Sequence, residues 1–522
     1  MPSMSTLTRK KTVAASVADT EDPESGLKRE MGALQLTIFG VGVIVGTGIF
    51  VLTGVAAAEK AGPAAPLSFV VAAIVCGLAA LCYAEFASSV PVAGSAYTYS
   101  YTSLGEIFAW IIGWDLILEF AFGAATVAKG WSGYFSRLME DLGINLPASV
   151  VGQEASFNVP AVVIVAIVAA VLIVGIRESS RMNIVVVTIK LTVILLVIAL
   201  GFFYVKSGNW SPFIPESQPG AAGQGFDETP LIQEILGQPT SAFGVSGIFF
   251  GASLVFFAFI GFDIVATAAE ETKRPQRDLP IGIFASLIIC TILYVLVSLV
   301  VTGMVPYDQL GSPEAIGAPL AYAFAANGVD WASTVISIGA LAGLTSTVLI
   351  LMYGQSRVFF AMGRDGLLPP WLSKVHPTYK TPYRITIITA VAVALLAAFL
   401  PLKVLGEATN IGTLFAFVLV AIAVPVLRKS QPELERPFRT PLVPLIPILA
   451  VLACLWLMLN LPIGTWIRLA IWMAIGFVVY FGYARKHSRL NRSVGADGTG
   501  PGAGSDDPAG PNAPAAGAGA AD

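Results

Sequence analysis

A chain of 522 residues that is 56% hydrophobic and only 12% charged falls far below the roughly 25% charge of a soluble domain, which points to an integral membrane protein. Its 30 Lys and Arg nearly cancel its 33 Asp and Glu, so there is no basic footprint for a nucleic acid. The four cysteines lie inside apolar segments and the two histidines in loops or tails; no disulfide framework, metal site or cofactor is expected.

Residues 1–32 are polar, carry Arg9, Lys10, Lys11, Lys28 and Arg29, and lack the short apolar core of a cleavable signal. Beyond them, twelve apolar stretches are long enough to cross a core of about 30 Å as helices. They are predicted near 33–58, 66–89, 105–136, 158–176, 182–205, 243–270, 279–304, 331–362, 384–400, 406–427, 442–461 and 464–484. The expected plan is all-α: spans one to five at 33–205, an outer loop at 206–242, spans six to ten at 243–427, and two further spans at 428–485. The Gly/Ala/Pro/Asp-rich tail, 486–522, is expected to be disordered. Five spans per half invert the second half in the membrane, which gives a five-plus-five inverted repeat with two helices appended. With the N-terminus inside, only Lys60, Arg137, Lys206, Lys403 and Arg468 fall on the outer side. The predicted orientation therefore has both termini in the cytoplasm.

The first span contains Gly-Val-Gly-Val-Ile-Val-Gly-Thr-Gly-Ile-Phe at 40–50. Glycine costs a helix about 1 kcal/mol against alanine, so the cluster predicts an interruption near Ile44, Gly46, Thr47 and Gly48. The sixth span carries a second one, Phe257-Ala-Phe-Ile260-Gly-Phe-Asp263. Paired interruptions in corresponding positions of two halves are the sequence pointer to a transporter's binding site. Freed N–H groups take an anionic group and freed carbonyls a cation. An α-amino acid carries both. Two plainer readings compete: Gly42-x-x-x-Gly46 is also a helix-packing spacing, and the glycine run approaches a dinucleotide fingerprint without its βαβ setting.

Charges within the membrane are functional candidates by default. At about 1.5 Å per residue, Lys190 lies roughly 12 Å, Gly46 about 20 Å and Glu119 about 21 Å from the start of their spans. That depth is near the midplane, level with both interruptions. Asp115 shares the helix face of Glu119, while Asp263 and Glu85 are closer to inner helix ends. For Lys190 the alternatives are a structural ion pair with a carboxylate such as Glu119, a proton carrier, or an ammonium standing in for a coupling cation; a desolvated lysine can release its proton at physiological pH. Thr345, Ser346 and Thr347 would build a sodium site if the coupling ion were sodium, but a nearby lysine opposes that ion. Glu119 and Asp263 are read as gate or relay groups, with internally paired structural carboxylates as the alternative.

At these residues the chain resembles the amino acid–polyamine–organocation superfamily, and within it the cationic-amino-acid-transporter branch. The resemblance runs over about 30–485. It is carried by Gly-Val-Ile-Val-Gly-Thr-Gly-Ile-Phe at 42–50, Tyr-Ala-Glu-Phe-Ala at 83–87 and Pro-Val-Ala-Gly-Ser-Ala-Tyr-Thr-Tyr at 91–99. Further matches are Phe-Ile-Gly-Phe-Asp at 259–263, Glu-Glu-Thr-Lys-Arg-Pro-Gln-Arg-Asp-Leu-Pro at 270–280 and Gly-Arg-Asp-Gly-Leu-Leu-Pro at 363–369. It implies a LeuT-like fold with helices 1 and 6 broken, and secondary transport of amino acids across the plasma membrane. It further implies that N–H groups around Thr47 and Gly48 hold the substrate carboxylate and that carbonyls near Ile44, Phe257 and Ile260 hold its ammonium. Lys190 matches the family lysine linked to protons. A proton symporter is the expectation, with an exchanger or a non-transporting amino acid sensor as alternatives. The chain has no Walker A lysine motif and no motif combining Ser, His and Asp, so neither ATP-driven transport nor an enzyme is expected.

Overall fold

The computed structural model describes residues 31–90, 95–152, 155–175, 180–219, 225–238, 241–372, 374–379 and 381–489. The expectations for the tails over 1–30 and 490–522 lie outside them. The chain is largely helical and multi-pass. Among the described residues, eight helical stretches are long and apolar enough to cross a membrane, and four shorter apolar helices stand with them.

The first helix, α1, runs Ala33–Ile44, its start closed by the Gly32 N–H donating to Gln35 Oε1 at 2.8 Å. Its 12 residues reach only about 18 Å, too little to cross alone. Val45 is extended (ψ 98°), and helical turns resume at Gly48–Leu52 in a wider π form. They continue through 48–61 to a turn at Gly62 (φ 62°) that feeds α2, Ala65–Ser89. Then come α3 (Ser95–Ser103), α4 (Glu106–Asp141), α5 (Val159–Val174) and α6 (Ser180–Gly201).

The second half opens with α7, Gly244–Val255, which tightens into a 3₁₀ turn at Phe256–Phe259. Ile260 is extended (ψ 129°), Gly261 takes φ 123°, and a second 3₁₀ run covers Ile264–Glu271. The remaining helices are α8 (Pro275–Met304), α9 (Pro319–Ala325), α10 (Asp330–Arg364), α11 (Tyr383–Phe399), α12 (Leu402–Ser430), α13 (Leu445–Leu459) and α14 (Ile463–Val479). Both glycine-bearing stretches singled out in the sequence thus leave regular helix, each inside an apolar segment.

Packing places these two stretches at the centre. The long α4 lies along α10 and α12, while α8 packs on α1 and α2. The interruptions also touch each other. A Cβ added at Gly48 would stand 2.3 Å from Ala258 Cα, and one at Gly261 2.7 Å from Val43 Cγ1. Gly48 is therefore a close-approach glycine as well as part of the break; the packing and interruption readings are both true of it.

Outlying helices are pinned by specific polar contacts. The Trp114 and Trp472 indoles donate to each other's backbone carbonyls at 2.9 and 3.0 Å and stack at 4.7 Å, which fixes α14 on α4. Glu85, at the inner end of α2, accepts from Arg428 Nε at 2.9 Å and Nη2 at 2.7 Å, and from the Thr440 N–H at 2.8 Å. This carboxylate is a paired structural group. The connector over 363–383 is docked as well: Tyr97 donates to Asp365 Oδ2 at 2.7 Å and the Arg489 N–H to the Asp365 carbonyl at 3.0 Å.

Candidate transport site

The last turn of a helix leaves carbonyls without intrahelical partners, and the first turn leaves N–H groups without them. At the two interruptions these groups meet in the protein interior, where an unpaired polar group is costly. A small cavity lies there. One wall is Ile44, Gly46, Thr47 and Gly48 of the first interruption with Phe257 and Ile260 of the second. The facing wall is Glu119, Gly123 and Val127 of α4, Thr347 and Leu351 of α10, and Thr409 of α12. All six residues expected to face a substrate's head group line this cavity. No backbone carbonyl among the described residues accepts from the N–H of Gly46, Thr47 or Gly48, and the Thr47 hydroxyl is buried without a partner.

Lys190 is 1% exposed and stands behind the first interruption. Its ammonium donates to the carbonyls of Gly42 at 2.7 Å and Val45 at 2.9 Å, and to Thr347 Oγ1 at 2.9 Å. Three protons meet three neutral oxygens. That accounting leaves no hydrogen bond for a carboxylate, so an ion pair with Glu119 is not how this lysine is held. Thr345 and Ser346 turn away, donating to Leu341 and Gly343 of their own helix. The lysine's stem lies against Gly343, where an added Cβ would come within 3.0 Å of Lys190 Cγ.

Glu119 and Asp115 are 1% and 0% exposed; among the described residues neither Asp115 oxygen has a hydrogen-bond partner, and Glu119 has only the Thr413 hydroxyl facing it. Only Glu119 of the pair reaches the cavity. Asp263 does not line the cavity; it lies on the second interruption, where its Oδ1 accepts from the Gly261 N–H at 3.2 Å. The structure thus brings Lys190 to the first break, Asp263 to the second and Glu119 to the wall opposite.

Besides Gly123, Val127, Leu351 and Thr409 of the cavity wall, two residues that hold the interruptions escaped the sequence reading. Tyr294 of α8 places its hydroxyl 2.8 Å from the Ile44 carbonyl and 2.8 Å from that of Ala258, which ties both interruptions to one helix. Nothing in an apolar run marks this tyrosine off from a packed aromatic. Asn410 of α12 donates from Nδ2 to the carbonyls of Ser253 and Leu254. The cluster Glu407-Ala-Thr409-Asn410 inside an apolar span was the available signal.

Residues 31–481 match the amino acid permease family. The chain belongs to that family. It is 49% identical over 491 residues to a branched-chain amino acid permease of Bacillus subtilis (strain 168), covering 93% of this chain and 99% of that one. It is 45% identical over 494 residues to a methylthioribose transporter of the same organism, covering 94% and 100%. A vacuolar cationic amino acid transporter of Arabidopsis thaliana is 36% identical over 435 residues, covering 82% of this chain and 68% of its own. This permease is accordingly an amino acid transporter of the amino acid–polyamine–organocation superfamily and not an enzyme.

Proposed function

We propose that the permease is a proton-coupled symporter of α-amino acids in the plasma membrane, working by alternating access with both termini in the cytoplasm. In this reading the twelve spans form a LeuT-like five-plus-five inverted repeat over 33–205 and 243–427, with helices 1 and 6 broken. The N–H groups at Gly46, Thr47 and Gly48 hold the substrate carboxylate. Its ammonium is shared among the carbonyls of Ile44, Phe257 and Ile260, each of which has a second lone pair to give.

The observation that carries the reading is the Lys190 ammonium bonded to Gly42, Val45 and Thr347. Protonated, it braces α6 and α10 against the first interruption and stabilises the loaded state. On losing its proton it gives up one donor and its charge, and the first interruption is released. The sign follows: substrate affinity is full at low pH and falls as the pH rises through the lysine's titration. Glu119 and Asp263 act as relay or gate groups between the cavity and the two breaks.

The cavity volume is ≈ 20 Å³, about the room one water needs. An amino acid enters only when the walls separate, as alternating access requires. Gly123, Val127 and Leu351 give the facing wall an apolar stretch beside Glu119, Thr347 and Thr409, and that stretch suits an aliphatic side chain like those named for the branched-chain relative. The test is uptake of labelled leucine, arginine and methylthioribose into proteoliposomes with and without an inward proton gradient. Leucine accumulation driven by the gradient supports the proposal. Leucine exchange indifferent to the gradient selects the exchanger, and binding without flux selects the sensor.

A further inference from the structure

The second interruption has a brace of its own. Asn410, fully buried, donates both amide hydrogens to carbonyls in the last turn of α7, to Ser253 at 2.7 Å and Leu254 at 3.0 Å. The amide cannot be turned over, because its oxygen would then face two carbonyl oxygens. Among the described residues its Oδ1 has no hydrogen-bond partner, and the side chain's donors both go to α7. The two bonds fall on the carbonyls where α7 gives way to the 3₁₀ turn, Leu254's accepting from the Phe256 N–H as well. The next residues, Phe257 and Ile260, line the cavity.

We propose that Asn410 is a positioning residue for transport, the second half's counterpart of Lys190. Each lies on the fifth span of its half. Each reaches back about 150 positions in the chain to carbonyls where that half's first span leaves α-helix: 148 and 145 positions for Lys190, 157 and 156 for Asn410. The comparison of halves rests on the five-plus-five reading; the hydrogen bonds do not. The two braces differ in one respect that bears on mechanism. An ammonium can shed a proton, whereas a carboxamide holds its donors at every physiological pH. The proton carried by Lys190 therefore acts on the first interruption, while Asn410 keeps its donors on the last turn of α7 at every physiological pH.

Among the described residues, the titratable and charged groups on the elements packed against α12 include Asp115, Glu119 and Lys129 of α4, Cys76, Cys82, Tyr83 and Glu85 of α2, Tyr97, Tyr99 and Tyr101 of α3, Cys454 of α13 and Arg468 of α14, with Lys403 and Glu407 on α12 itself; Asp263 lies on the second interruption beside Gly261. The stretch Gly244–Val255 that Asn410 contacts holds no titratable side chain.

Amide hydrogen exchange on the purified full-length protein tests this without any ligand. Asn410→Leu removes both donors at similar volume. It should speed exchange over 256–262 at least tenfold and leave 43–48 unchanged, and Lys190→Met should do the reverse. Asn410→Asp donates a single hydrogen bond, and only when protonated, so relative to wild type its exchange over 256–262 should lie between wild type and Asn410→Leu at about pH 5 and reach the Asn410→Leu level by about pH 9, a step that Asn410→Leu lacks. Unchanged exchange over 256–262 in folded Asn410→Leu, or an Asn410→Asp profile parallel to wild type, overturns the proposal. Because no substrate or gradient enters the measurement, failure of the symport reading would show separately, as flux indifferent to protons.

Discussion

Lys190 donates to the Val45 carbonyl at 2.9 Å, at the residue where α1 leaves helical geometry. The contact crosses 145 positions in the chain and joins the middle of α6 to the first interruption. Any change that moves the lysine stem should therefore be felt as a change at the site.

Gly343 makes room for that stem. Gly343→Val would place branched carbon where a Cβ alone is 3.0 Å from Lys190 Cγ. Substrate uptake should fall at least about tenfold, the loss of one charged hydrogen bond at about 1.5–3 kcal/mol, while the helix still inserts. Uptake by purified, monodisperse protein is the check. Wild-type uptake would mean that Lys190 has slack.

Gly46 and Gly48 should respond differently. A Cβ at Gly48 lies 2.3 Å from Ala258 Cα, a backbone atom, whereas one at Gly46 meets a Thr347 methyl at 3.1 Å. Gly48→Ala should thus lower thermal stability, overpacking costing about 1–3 kcal/mol. Gly46→Leu should leave the fold standing and abolish binding by filling the cavity. Equal melting temperatures with equal loss of binding would remove the distinction.

The substrate's two ends can be tested chemically. Esterifying the carboxylate removes the charge that the N–H groups near Thr47 receive, and deamination leaves carbonyls unpaired. Each analogue should compete at least about tenfold more weakly in a binding assay, from a cost of about 1–3 kcal/mol per unmet polar group. A plain carboxylic acid competing as well as the amino acid would exclude a two-ended site.

The Glu85 clasp should be separable from transport. Arg428→Leu removes two charge-assisted bonds from a buried carboxylate that keeps the Thr440 N–H and has Arg436 Nε at 3.6 Å. A loss of about 1.5–3 kcal/mol of stability is expected, read as a lower melting temperature with substrate affinity unchanged.

The sequence showed some of this directly and hid the rest for physical reasons. Gly40–Gly48 were legible because glycines are costly in a helix that only spans lipid. Lys190 and Glu119 were legible because a mid-membrane charge is costly without a role. Their partners were not. Of the alternatives for Lys190, the ion pair with Glu119 is not what holds it; the Gly42 and Val45 carbonyls and Thr347 Oγ1 do, and backbone acceptors freed by an interruption carry no mark in the residue names. Tyr294 looks like any packed aromatic until its hydroxyl is seen between Ile44 and Ala258. Glu85 finds Arg428 from 343 positions away, a pairing that only the fold sets.

The central claim is that Lys190 carries the proton. Lys190→Met keeps the apolar stem and removes the charge and all three donors; Lys190→Arg keeps a charge that cannot be shed. The measurement is labelled substrate uptake into proteoliposomes under an inward proton gradient, beside equilibrium binding on the same preparations. Both variants should lose gradient-driven accumulation, and binding by Lys190→Met should lose its pH dependence. Accumulation by Lys190→Met with the wild-type pH profile would contradict the account and pass the proton to Glu119.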